Sequence, residues 1–206
     1  LAAGECIALV GDLATMPGVE ALASQLAERE QHIDVLVNNA GLGTGGAFDK
    51  MSVVDWDRTI DINTRSPLFL TQALLGLLKA RATVDAPSSV IFISSVAASE
   101  IFAHVMAYST SKKAVEHLTP QIALALADDH IRVNAIAPGR FFSEMTRGAW
   151  QDPEAESYKA ELQRLPAHRY GDMHDIAGVA IMLCSRAGAY FTGEVLNVDG
   201  GHRLRR

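Results

Sequence analysis

The chain has 206 residues, 49% of them apolar, with a formal net charge of −6. That length suits a single domain with a substantial core. The acidic balance, without any basic stripe, argues against nucleic-acid binding, and no apolar run reaches the roughly 18 residues of a membrane span.

Cys6-Ile-Ala-Leu-Val10 reads as a short buried strand ended by Gly11-Asp12. Pro17 opens a helix to about Arg29, with Val19, Leu22 and Leu26 as its apolar stripe. Ile33–Val37 is a second strand, and Asn38–Gly46, with four glycines, is a loop. Ser52-Val-Val-Asp55 has capping-box spacing and starts one long helix to about Lys79, kinked at Pro67. Val90–Ile93 is a strand, residues 94–107 are a loop, and a helix spans about Ala107 to Ala127. Ile131–Ile136 is the next strand, followed by a loop over 137–151 and a helix over 153–165. Asp175–Ser185 is the final helix and Val195–Val198 the final strand. Strands alternating with helices predict an α/β fold, a Rossmann-like doubly wound parallel sheet in one domain over 1–206.

Cys6 and Cys184 both lie in apolar runs, which suits buried reduced thiols, and no spacing suits a zinc site. No signal peptide is visible, so a cytoplasmic protein without membrane or nucleic-acid partners is expected. Arg203, Arg205 and Arg206 read as a solvated basic tail.

The chemistry concentrates around Tyr108-Ser-Thr-Ser-Lys112, which puts a phenol and an ammonium on one helix face. A free tyrosine is a poor acid–base group at neutral pH, and a nearby cation lowers its pKa. The pair therefore suits proton transfer. Ser95 precedes Tyr108 by thirteen residues, at the end of an apolar strand, and Asn63 lies further upstream.

These residues resemble the short-chain dehydrogenase/reductase family, with Asn, Ser, Tyr and Lys in this order, together with Asn38-Asn-Ala-Gly41, Pro138-Gly139 and Val198-Asp-Gly-Gly201. The resemblance implies hydride transfer between a nicotinamide cofactor, NAD or NADP, and a small carbonyl or alcohol substrate. It implies catalytic roles for Asn63, Ser95, Tyr108 and Lys112. Tyr108 would donate the proton, Ser95 would hold the oxygen, Lys112 would lower the Tyr108 pKa and bind the ribose, and Asn63 would hold a water. Asp12 and Leu13 would meet the adenine, and Asn39, Ala40 and Gly41 the adenosine half. Pro138, Gly139, Phe141 and Ser143 would line the nicotinamide, with Tyr108 and Lys112 beside it. Asn38 would tie its loop to neighbouring strands, while Ser94, Ser109 and Ser111 are structural. Ile101, Phe102, His104, Met106, Phe142, Met145 and Trp150 suit an apolar substrate wall, with His104 at its rim. The stretches Pro138–Thr146 and Ala187–Gly193 look most like 3-oxoacyl-thioester reductases. Sugar, polyol and steroid dehydrogenases share the skeleton. A homodimer or homotetramer is implied.

The family's Gly-rich turn, Thr-Gly-x-x-x-Gly-x-Gly, does not occur in this sequence, and residues 6–10 correspond to the family's third strand. An N-terminal β-α-β portion is therefore expected to be missing, which would leave strand 6–10 without a ladder partner and strand 33–37 with one neighbour. A non-catalytic binding or assembly subunit is the competing reading. The pyrophosphate of a dinucleotide normally sits on that turn's N–H groups and a helix N-terminus. Losing several charge-assisted hydrogen bonds should weaken binding by about a hundredfold or more. Titration calorimetry of the 206-residue chain with NADH and NADPH checks this, and micromolar binding of either would overturn it.

Overall fold

Four apolar segments lie side by side as parallel strands in a computed structural model that describes residues 4–142 and 155–204. They are β1 (Val35–Asn38), β2 (Ser88–Ile93), β3 (Ile131–Pro138) and β4 (Val195–Val198), in the spatial order β1-β2-β3-β4. The register pairs Val37 with Ile91, Ile91 with Asn134, and Ala135 with Val195. Side chains alternate across the sheet. Val90, Phe92, Val133 and Ala135 point to one face, and Ile91 and Ile136 to the other. Because both faces of the central strands are buried, β2 and β3 are near-continuous apolar runs, as expected of a parallel sheet.

The first face is covered by α1 (Met16–Arg29), α3 (Ser66–Ala73), α4 (Leu75–Lys79) and α5 (Met106–Ala125), and the second by α7 (Met173–Cys184). Sequence signals set the helix starts. The Thr15 hydroxyl accepts from the Gly18 amide ahead of Pro17, and Asp172 caps α7 in a capping box with Asp175. Ser52 starts α2 (Val53–Ile60) by accepting from the Asp55 amide. Arg132, buried on β3, donates to the carbonyls of Leu183 and Gly188 at 2.6 and 2.9 Å, tying the sheet to the end of α7.

Two expected elements differ. Residues 6–10 form no strand; Cys6 is exposed rather than buried, and Val10 is 89% exposed. A strand needs a ladder partner for its backbone groups. Among the described residues β1 pairs only with β2, so it is an edge, with Val35 and Val37 partly exposed. The expected single helix over 52–79 is divided. A π-helical turn, Asp61–Arg65, separates α2 from α3, and Leu74 interrupts the path to α4. Pro67 supplies no N–H, so the regular hydrogen-bond ladder cannot pass through it, and the Ser66 amide bonds to Asp61 instead.

Smaller differences follow from side-chain bonding. A 3-10 turn, Val96–Ala98, occupies the expected 94–107 loop because Ser95 caps it. Asn38 bonds to Thr71 on α3 rather than to a strand. Arg203 pairs with Asp199 instead of standing free in solvent. The expected 153–165 helix is α6 (Glu156–Arg164); Ser143, Met145, Trp150, Arg205 and Arg206 fall outside the described residues.

Candidate active site

Parallel strands deliver their C-terminal ends to one edge of the sheet, where α/β proteins place their ligands. The loop with Asn39, Ala40 and Gly41 leaves β1 there, Ser94-Ser95 leaves β2, and Pro138-Gly139 ends β3. α5 brings Tyr108 and Lys112 to the same edge. It packs closely because its inward stripe includes the small residues Ala107, Ser111, Thr119 and Ala123 alongside Val115.

Ser95 is extended, and its hydroxyl accepts from the Ala97 amide at 3.2 Å while lying close enough to the Tyr108 phenol to pull its pKa down. The Lys112 ammonium lies 5.8 Å from the centre of the Tyr108 ring and donates to the Ile93 carbonyl at 2.7 Å. A Cβ placed on Gly41 would lie 3.4 Å from Lys112 Nζ and 3.6 Å from Asn63 Oδ1, so glycine keeps open the space above the lysine. Ser95, Tyr108 and Lys112 are thus drawn together, and Asn63 Oδ1 lies beside the same space next to Gly41 as Lys112 Nζ.

Asn63 does something the sequence did not reveal. Its Nδ2 donates to the Leu42 carbonyl at 2.8 Å and to Ser111 Oγ at 2.9 Å, and its Oδ1 accepts from the Leu42 amide at 2.7 Å. The side chain is committed to protein partners. Ser111 in turn donates to the Tyr108 carbonyl, and Ser94 bonds the Lys112 carbonyl and Glu116, as structural serines do.

The electrostatics also depart from expectation. Burial pushes the Tyr108 phenol above its ordinary value, with the Ser95 hydrogen bond pulling the other way; Lys112 is not what sets it. Burial instead lowers Lys112 to about 8. The lysine answers to the Ile93 carbonyl and to its own desolvation, so its field does not offset the burial of the phenol.

The remaining expected binding residues are distributed as follows. Asp12 is exposed and its carboxylate accepts from the Ala14 amide at 3.0 Å, a local turn contact. Leu13 packs into the α1–α3 cluster, and its carbonyl accepts from Ser66. Gly139 is required: a Cβ there would lie 2.6 Å from the Asp199 Cα, and its amide donates to the Val198 carbonyl. Phe141 bridges to Gly171, where a Cβ would meet its ring at 2.4 Å. On the substrate side, His104 is exposed and meets Phe102 edge-on, while Phe142 stacks on Tyr158 and meets Tyr170 edge-on.

Arg140, Glu161, Tyr158 and Tyr170 were not legible as site residues. Arg140 lies 5.9 Å over the Phe102 ring and bonds Glu161 of α6 at 3.2 Å, joining two walls of the cleft. Its only sequence signal was its position directly after Pro138-Gly139.

Residues 1–203 match the family model described as enoyl-(acyl carrier protein) reductase. The chain is 40% identical over 202 residues to the rhamnolipids biosynthesis 3-oxoacyl-[acyl-carrier-protein] reductase of Pseudomonas aeruginosa, covering 98% of this chain and 78% of that protein. The chain belongs to the short-chain dehydrogenase/reductase family. It is also 33% identical over 202 residues to glucose 1-dehydrogenase 2 of Bacillus subtilis, covering 98% of this chain and 76% of that protein. Among solved structures, the Pseudomonas aeruginosa RhlG/NADP active-site complex superposes with a TM-score of 0.92 at 39% identity, covering 98% of this chain and 78% of that one. Among the described residues, no His, Cys, Asp and Glu cluster could hold a metal, and no helix is long and apolar enough to cross a membrane.

The lowered Lys112 pKa has a measurable sign. Below about pH 8 both folded and unfolded states carry the charge, and the folded state bears its burial; between about 8 and the ordinary 10.5 the unfolded state binds more protons, so stability rises with pH. Relative to Lys112→Met, the native chain should gain on the order of 3 kcal/mol across that window. Urea unfolding at several pH values reads the difference, and a flat profile would mean Lys112 keeps its ordinary pKa.

Proposed function

We propose that this protein is an NAD(P)-dependent reductase that converts a ketone to an alcohol, its substrate a 3-oxoacyl thioester or similar apolar carbonyl. The observation that carries the reading is the convergence of Ser95, which pulls the pKa of the Tyr108 phenol down against its burial, and of the Lys112 ammonium, 5.8 Å from the phenol ring. A nicotinamide dinucleotide fits the edge of the sheet, where Gly41 leaves space beside Lys112 that a Cβ would fill and Gly139 lets the end of β3 pack against Asp199. Asn39, Ala40 and Gly41 would hold its adenosine half, and Pro138, Gly139, Phe141 and Ser143 its nicotinamide end. When bound, it supplies the hydride to the carbonyl carbon.

The protein's own residues handle the proton. Ser95 donates a hydrogen bond to the carbonyl oxygen as negative charge develops there, and Tyr108 gives that oxygen its proton. A phenol pushed up by burial stays protonated at neutral pH, which is the form a proton donor needs. Lys112, lowered to about 8, can return the proton to Tyr108. With its side chain committed to Leu42 and Ser111, Asn63 acts by holding the loop after β1 against α5 beside Lys112.

The substrate class rests on the aromatic wall of Phe102, Phe141 and Phe142 and on the 40% identity to a 3-oxoacyl-[acyl-carrier-protein] reductase. The likeness to glucose 1-dehydrogenase 2 favours a sugar substrate as the second reading. Asp12, exposed and bonded to Ala14, keeps a free carboxylate oxygen for an adenine amino group.

Tyr108→Phe should lower kcat by at least about 100-fold with the fold intact, because a positioned acid contributes about 10²–10⁴. The assay follows carbonyl reduction with NADH and with NADPH. Retention of most activity would remove Tyr108 from its role.

A two-fold symmetric dimer or tetramer is the proposed assembly. Phe69 and Leu124 on α3 and α5, and Ile181 and Phe191 near the C-terminal strand, leave apolar surface exposed. Light scattering at micromolar concentration should give a mass of two or four chains; a strict monomer would contradict the assembly.

A further inference from the structure

His202 is wholly buried, which is unusual for a titratable side chain directly after a Gly-Gly turn. Its Nε2 lies 2.6 Å from the Glu100 carboxylate, whose side chain is itself mostly buried. The two ends of this pair belong to different segments, one of which carries Ser95. Glu100 closes the 3-10 turn that Ser95 opens: the Ala98 amide bonds the Ser95 carbonyl at 2.9 Å, and the Ser99 and Glu100 amides bond the Val96 carbonyl at 3.0 and 3.1 Å. His202 follows the turn that ends β4, its amide bonded to the Asp199 carbonyl at 2.9 Å.

That second turn is firmly fixed. Gly200 and Gly201 adopt φ of +57° and +82°, in the left-handed region that favours glycine. The Asp199 carboxylate accepts from the Gly201 and Arg203 amides, and the Gly200 carbonyl accepts from Ala167 at 3.0 Å. Gly139 packs directly against Asp199. In the sheet, β2 and β4 are separated by β3, so the Glu100–His202 pair spans the C-terminal end of β3 and joins the Ser95 turn to this rigid anchor.

We propose that Glu100 and His202 are positioning residues that aim the Ser95 hydroxyl by clamping the far end of its turn to the Asp199–His202 turn. The assignment rests on the reductase reading for its catalytic consequence, and on geometry alone for the clamp. Stability is a weak reason to keep a buried polar pair, because an apolar pair of similar volume often serves as well or better. A hydrogen-bonded pair adds direction, which Ser95 needs: displacement of a reacting group by about 1 Å can lower a rate about a hundredfold.

The test has two arms. In the 206-residue chain, hydrogen exchange of the amides of residues 96–105 should quicken about tenfold in Glu100→Ala and stay within about threefold of native in Glu100→Gln, which keeps a polar partner for the imidazole, while β2 and β3 amides are unchanged. In the carbonyl-reduction assay used for Tyr108, Glu100→Ala should lower kcat about tenfold with dinucleotide affinity unchanged, yet change kcat less than about twofold in a Ser95→Ala background. Equal losses in both backgrounds would make the pair a general structural contact and overturn the proposal, as would unchanged exchange. Should Glu100→Ala fail to fold, His202→Gln carries the same arms. If native protein reduces no carbonyl with either cofactor, the reductase reading fails, and the exchange arm still decides the clamp.

Discussion

The site depends on one buried carboxamide. Asn63 is 1% exposed and joins three elements through three hydrogen bonds: the π-helical turn that carries it, the Leu42 backbone in the loop after β1, and Ser111 on α5. A buried amide that left any of these donors or acceptors unpaired would be penalised by its desolvation. The arrangement is therefore close to all-or-none. Because Ser111 also bonds the Tyr108 carbonyl, the same residue that shapes the glycine-rich loop helps fix the first turn of α5. The gap above Lys112 and the angle of the phenol are set together.

Around that anchor, the structure accepts an energetic conflict. Lys112 is 4% exposed and pairs with a carbonyl rather than a carboxylate. A buried cation without a full counter-charge works against the fold. It is tolerated because the sheet and α5 hold it by packing on both sides: Val115 and Ala123 of α5 share one core cluster with Val90, Phe92, Val133 and Ala135. The protein thus keeps a titratable group where its proton can be moved, and apolar burial elsewhere offsets the desolvation.

The cleft is built from contacts that cross between segments rather than along them. Arg140 joins Phe102 to Glu161, Phe141 lies against Gly171, and Gly139 lies against Asp199. Each contact links the end of β3 to a different neighbour. The walls therefore move with the sheet edge, which suits a site in which hydroxyl, phenol and ammonium must keep their spacing.

Periodicity and punctuation in the sequence determined most of the fold. The runs at 33–37, 90–93, 131–136 and 195–198 became strands within about two residues, because both faces of a parallel sheet demand apolar side chains whatever the neighbours are. Pro17 and Ser52-Val-Val-Asp55 marked helix starts through a preset backbone angle and a local hydrogen bond, neither of which needs a tertiary partner. The juxtaposition of Ser95, Tyr108 and Lys112 was legible because it follows from one strand end and one helix turn. Tertiary structure alone decided the rest. Whether Cys6–Val10 forms a strand depends on a pairing partner, which no local pattern encodes. The partners of Asn63, the upward shift of the Tyr108 phenol and the burial of His202 against Glu100 depend on which distant segments meet, and residues separated by tens of positions leave no periodic trace of meeting.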